Sequence, residues 1–150
     1  KCQDGADVSE AFLAGVLAHV REITAFLNPV EGSYRRLGEH KAPRYITWSP
    51  ENRSQLIRIP AAQGEYRRLE LRSPDPMANP YLAYALLIHA GLDGIRRNLS
   101  APLPVNENLY TAPESLTSTL EQLPGSLAEA KELARGSAFV ASILPAGMLD

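Results

Sequence analysis

Apolar positions recur at helical spacing near the start of the chain. Phe12, Val16, His19, Val20, Ile23 and Leu27 predict an amphipathic helix over residues 9–27. Ser9 is placed to cap it, and Asn28-Pro29 ends it, because the residue before a proline is pushed out of the helical region. Residues 44–48, 55–60 and 67–72 are short, rich in Ile, Leu, Tyr and Trp, and separated by turn-prone stretches. They predict three strands, antiparallel because no helix intervenes. Asn79-Pro80 then opens a second helix, with Asn as cap and Pro at its first position, running through Tyr81, Tyr84, Leu87, Ile88 and Ile95 to about Leu99. Residues 101–114 hold Pro102, Pro104 and Pro113 and predict a loop. Three short helices are expected near 115–122, 126–135 and 137–144, with Ser126 and Glu129 at capping-box spacing. Helix, strands, helix is the order of an α+β fold, an antiparallel sheet backed by helices.

Composition narrows the class. At 150 residues and 45% hydrophobic, the chain suits one domain with a real core. No apolar run approaches the roughly 20 residues of a bilayer span, and no signal peptide opens the chain. Cys2 is the single cysteine, which excludes a disulfide framework. The net charge of −2 argues against a general nucleic-acid binder. The chain opens on Lys1 and closes on Asp150, so a piece of a longer protein is expected.

The charge is unevenly spread. Of 15 basic residues, 12 are Arg. Nine basic residues fall within 31–72 against five acidic ones, a net +4, while the remainder carries −6. A local cationic field in an acidic chain is what an anionic small-molecule site needs. Strand alternation puts Arg68, Glu70 and Arg72 on one face, and Arg58 on a matching face of the strand before. Two readings stay open. One is a solvated face of alternating charges. The other is a phosphate and metal site, with Arg forks on phosphate oxygens and Glu70 holding a hard cation such as Mg²⁺.

Other chemistry is sparse. No P-loop is present. His19, His40 and His89 have no metal-motif spacing, and His19 and His89 read as packing or polar-edge residues. Ser33 and Ser73 lack triad partners. Gly91-Leu92-Asp93-Gly94 lies inside a helix and reads as a close-packing site.

The ordered blocks carry more than any single motif. Asn28-Pro29, Ser33-Tyr34-Arg35-Arg36-Leu37, Ala42-Pro43, Asn52-Arg53-Ser54 and Ile57-Arg58-Ile59-Pro60 come first. Arg68-Leu69-Glu70-Leu71-Arg72-Ser73-Pro74-Asp75-Pro76, Asn79-Pro80-Tyr81-Leu82-Ala83 and Ala90-Gly91-Leu92-Asp93-Gly94-Ile95 follow. Together they resemble the C-terminal part of the catalytic domain of bacterial-type glutamine synthetases, strongly over residues 9–110 and more weakly to Leu127. The resemblance implies an ATP-dependent ligase joining glutamate and ammonia through a γ-glutamyl phosphate, with Mg²⁺ or Mn²⁺. It also implies active sites between neighbouring subunits of a homo-oligomeric ring, and a cytoplasmic setting without membrane or nucleic-acid partners. By motif, Arg36 would bind the glutamate carboxylate, and Arg72 the γ-carboxylate or its phosphate. Arg53, Arg58 and Arg68 would contact ATP phosphates, and Glu70 would be a ligand of the ATP-associated metal.

Departures from the family pattern are equally specific. Gly32 stands where the family usually has Asn, and the segment between Leu37 and Ala42 is one residue shorter than in enteric-type enzymes. Lys41 stands where those enzymes carry a Glu that closes over ammonia and glutamate; Glu39 is the nearest replacement. Another amine or a polyamine is therefore an alternative nucleophile, and a non-catalytic scaffold or an Arg-rich anion-binding module are further alternatives. Asn108-Leu109-Tyr110 resembles the tyrosine segment that some members adenylylate. The family's N-terminal domain, its metal-holding carboxylate cluster and its glycine-rich His segment are not in these 150 residues. The chain is therefore expected to be inactive alone.

Overall fold

A computed structural model describes residues 7–39, 41–62 and 64–149. Its elements are α1 (Ser9–Leu27), α2 (Glu31–Arg36), β1 (Trp48–Pro50), β2 (Ile57–Ile59), a 3-10 turn (Gly64–Tyr66), β3 (Glu70–Leu71), α3 (Pro80–Arg96), α4 (Glu114–Thr117), α5 (Leu127–Arg135) and α6 (Ala138–Ile143). The architecture is α+β, as the pattern predicts. None of the helices among the described residues is long and apolar enough to cross a membrane.

α1 and α3 form the spine and cross at contact distance. A β-carbon built on Gly15 would lie 2.2 Å from the Ala90 carbonyl oxygen, and one on Gly94 2.1 Å from that of Ala11. One on Gly91 would strike the Phe12 ring. The close-packing reading of Gly91 and Gly94 therefore holds, and Gly15 completes it. The core gathers beside this crossing from Leu13, Val20, Ile23, Leu27, Leu56, Ile57, Leu86 and Ala90.

Only some caps match their expected residues. Asn79 accepts from Tyr81 N (3.0 Å) and Leu82 N (3.4 Å). Ser126 accepts from Glu129 N, whose carboxylate in turn accepts from Gly125 N at 2.8 Å. Ser9 is not the cap of α1: it is the first helical residue, and the Asp7 carboxylate accepts its N–H (3.0 Å) and hydroxyl (2.6 Å). A carboxylate beside the helix start also complements the dipole.

The sheet departs from the expected antiparallel arrangement. Its order is β1-β2-β3; β2 and β3 are antiparallel, but β1 and β2 are parallel, with Trp48 opposite Ile57. A three-residue strand is only about 10 Å long. The six residues 51–56 can span roughly 20 Å, enough to return without a helix. Glu51, at φ 68°, helps reverse the chain there. Parallel strands ordinarily need a crossover of about a dozen residues or more, and the shortness of β1 and β2 is what lets six residues suffice here. Residues 44–46 are not part of this sheet. They pair with the chain far downstream, Ile46 N to Glu121 O at 2.8 Å and Leu123 N to Arg44 O at 2.9 Å. Residues 67–69 lie outside β3, and α2 forms where no helix is expected.

Candidate active site

The antiparallel register sets Arg58 of β2 opposite Glu70 of β3. Arg58 Nη2 donates to Glu70 Oε2 at 2.6 Å. Arg72, just past β3 and on the same face as Glu70, donates from Nε to the other oxygen, Oε1, at 3.1 Å. The carboxylate is thus bracketed by two guanidiniums. The Arg58 hydrogen bond, followed by the charges of Arg58 and Arg72, holds the Glu70 pKa below its ordinary value, against the opposing effect of desolvation. Arg72 Nη2 also donates to the Lys41 carbonyl at 3.1 Å, fastening the 38–42 turn to the cluster. Lys41 takes φ 67° in that turn, and its side chain is exposed. Arg58 Nε and Arg72 Nη1 are buried and have no hydrogen-bond partner among the described residues. Two cationic donors therefore remain unsatisfied in the cluster, an arrangement that costs free energy unless an anion completes it.

Arg36 reaches the same region from α2. Its Nη2 donates to the Ser73 carbonyl at 2.5 Å, next in sequence to Arg72, and to Asn28 Oδ1 at 3.2 Å. Its Nε lies 3.9 Å from Asp75 Oδ2. Arg36, Arg58, Glu70 and Arg72 are thus brought to one region. Arg68 is not. It precedes β3, is exposed, and turns its guanidinium back to the Tyr66 carbonyl at 3.2 Å. Strand alternation fails for it because the strand begins two residues later. Arg53 is exposed in a turn whose neighbours are strapped to residues 106–109. Asn52 Nδ2 donates to Asn106 O at 2.6 Å, and Ser54 Oγ accepts from Leu109 N at 2.9 Å.

Glu39 is exposed and lines a polar cavity of about 490 Å³ with Arg44, Tyr45, Ser54 and Tyr110. Burial raises the Tyr110 phenol pKa, and the Arg72 charge opposes that rise. His40 lies outside the described residues. His19 sits between Asp93 (2.8 Å) and Glu22 (3.1 Å) and stacks on Phe139, a polar-edge role. His89 is exposed on α3.

Sequence reasoning missed Asn28, Asp75 and the Ser73 and Lys41 carbonyls. Their signal was misleading: Asn before Pro reads as a helix stop, and Asp between prolines reads as a turn. No group of three or more His, Cys, Asp and Glu among the described residues could hold a metal ion. A hard cation such as Mg²⁺ asks for about six oxygen ligands. Glu70 offers one carboxylate, already facing two guanidiniums, so these residues do not make a metal site by themselves.

The chain matches the family described as glutamine synthetase, catalytic domain, over residues 2–150. The chain belongs to the glutamine synthetase family. It is 46% identical over 136 residues to a glutamine synthetase of Methanosarcina mazei, covering 89% of this chain and 30% of that protein. It is 50% identical over 124 residues to one of Thermotoga maritima, covering 81% of this chain and 28% of that protein. The chain thus spans about 30% of the length of these curated relatives. Among solved structures, a GmaS–ADP complex matches with TM-score 0.81 and 35% identity, over 97% of this chain and 34% of that one. Ligand-free GmaS matches with TM-score 0.80 and 36% identity, over 97% of this chain and 33% of that one. The parallel β1–β2 pair therefore sits within a family fold.

Proposed function

We propose that residues 1–150 are the C-terminal portion of the catalytic domain of a longer ATP-dependent ligase. That ligase would join glutamate to ammonia through a γ-glutamyl phosphate, in a homo-oligomeric ring. The observation that carries this reading is the pair of buried, unpartnered donors, Arg58 Nε and Arg72 Nη1, flanking Glu70. A scaffold gains nothing from leaving them unpaired. A phosphoryl group in flight gains charge neutralisation from both forks without reorganisation of the site. In this arrangement Arg72 meets the γ-carboxylate and its phosphate, Arg58 meets the transferring phosphoryl group, and Arg36 binds the substrate carboxylate. Arg53 and Arg68, both exposed, would follow the ATP phosphates, Arg68 on leaving its contact with the Tyr66 carbonyl. Glu70 would contribute a single carboxylate to Mg²⁺ or Mn²⁺, the other ligands coming from ATP and from outside this chain. Glu39 would face the nucleophile.

A second reading has its own support. The exposed Lys41 lies two residues from Glu39 in the turn tied to Arg72, at the position where enteric-type members carry a Glu. That changed position makes an amine other than ammonia the alternative nucleophile. The two solved structures compared above are of GmaS, which supports a related γ-glutamyl ligase.

ADP release in the full-length ligase tests the reading. Arg58→Ala and Arg72→Ala should each lower kcat by about 10²-fold or more, as loss of a charge-stabilising donor does. The 150-residue chain alone should release no ADP above blank. Unchanged kcat in both variants, or turnover by the chain alone, would contradict it.

A further inference from the structure

Arg36 is held in place by groups that the reading above gives no role. Its guanidinium has five N–H donors in one plane. The two hydrogens of Nη2 are directed to the Ser73 carbonyl (2.5 Å) and to Asn28 Oδ1 (3.2 Å). Nε is buried, makes no hydrogen bond among the described residues, and faces the Asp75 Oδ2 charge at 3.9 Å. Nη1 has no hydrogen bond or ion pair among the described residues and, unlike Nε, faces no carboxylate.

The holding groups are themselves fixed. Asn28 is fully buried, and its N–H donates to Thr24 O at 2.8 Å at the end of α1. Asp75 N donates to Leu27 O at 2.8 Å, and its other carboxylate oxygen, Oδ1, accepts from Met77 N at 2.8 Å. The Asp75 side chain is thus tethered by a bond of its own, and the Asn28 side chain is confined by burial. Two bonds in different directions at Nη2, with a carboxylate facing Nε, determine the plane of the fork and hence the direction of the two Nη1 hydrogens.

We propose that Asp75 and Asn28 are positioning residues that set the Arg36 guanidinium so that Nη1 alone is presented to the substrate carboxylate. This rests on the role given to Arg36 under the proposed function. A carboxylate bound by a fork already oriented loses less freedom on binding than one bound by a mobile side chain. Disorienting the fork weakens ground state and transition state alike, so it appears in KM rather than kcat.

The test uses the full-length ligase that carries this chain. Asp75→Asn keeps an acceptor for Met77 N and removes only the charge facing Nε. It should raise the glutamate KM about tenfold, leaving kcat and the ATP KM within about twofold. Asn28→Ala should act in the same direction. Arg36→Lys, which keeps the charge and loses the fork, should raise the glutamate KM at least as much. If Arg36→Lys raises it and Asp75→Asn does not, the positioning role is wrong while the role of Arg36 stands. If Arg36→Lys leaves it unchanged, the role of Arg36 is wrong and the positioning role goes with it. A uniform loss in Asp75→Asn, with kcat and both KM values affected alike, also overturns the proposal. Arginine side-chain NMR of the 150-residue chain gives a readout without turnover. Separate Arg36 Nη signals, merging in Asp75→Asn, are expected; merged signals in both would refute the hold.

Discussion

Gly94→Ala should destabilise this fold even though it places a better helix former inside a helix. The added β-carbon would sit 2.1 Å from the Ala11 carbonyl oxygen, 2.6 Å from Gly15 N and 2.7 Å from Gly15 Cα. All three are backbone atoms of α1, so no side chain can rotate away. Carbon and carbonyl oxygen approach no closer than about 3.3 Å, even in favourable contacts. The helices must therefore part by about 1 Å at the crossing. A gap of that size forfeits a quarter to a half of the dispersion energy of each contact it opens. Overpacking of a rigid interface costs about 1–3 kcal/mol, and the backbone-on-backbone contact places this case at the upper end. The helix propensity of Ala returns about 1 kcal/mol. A net loss of about 2 kcal/mol follows. With a urea m-value of about 2 kcal/mol/M, the midpoint falls by about 1 M. Far-UV circular dichroism in a urea titration reads it. Gly32→Ala is the matched control: it lies in α2 with nothing within 4 Å of its built β-carbon, and should keep or raise the midpoint. A Gly94→Ala midpoint equal to the parent's, or an equal fall in Gly32→Ala, would refute the reasoning.

Two further outcomes follow from the described contacts. Because the Glu70 pKa is held below its ordinary value, the stability it contributes is present above pH 4.5 and fades as pH falls through the lowered value. Glu70→Gln should therefore be less stable than the parent at pH 7, and should show a flatter stability profile over that acidic interval; parallel profiles would show that the ion pairs contribute nothing. Asn79→Ala removes the acceptor for Tyr81 N and Leu82 N and should cost about 1 kcal/mol, seen as a lower urea midpoint at unchanged slope.

Local chemistry made much of this protein legible from residues alone. α1, α3 and α5 follow from apolar spacing, from Asn79-Pro80 and from the Ser126 and Glu129 pair, because capping and helical periodicity depend on neighbours within a few positions. Gly91 and Gly94 of the α1–α3 crossing and the cluster of Arg58, Glu70 and Arg72 were also readable, the cluster because alternation on two adjacent strands needs only their pairing, whereas Gly15 was not. What depended on distant chain was not readable. The parallel β1–β2 pair depends on how residues 51–56 turn back, and the 44–46 segment depends on a partner nearly eighty residues away. Tyr81, Tyr84 and Ile88 read as part of a helical apolar pattern yet face outward, at 85%, 66% and 51% exposure. The buried face of α3 belongs to Ala83, Leu86, Ala90, Gly91 and Gly94, and at the crossing itself the small Ala90, Gly91 and Gly94 let α1 approach closely. The sequence by itself thus determined α1, α3 and α5 and the Arg58, Glu70 and Arg72 part of the cationic cluster. The tertiary structure alone decided that Arg36 is bonded to Asn28 and to the Ser73 carbonyl and faces Asp75, since contacts between separate elements are facts of packing, which no local pattern encodes.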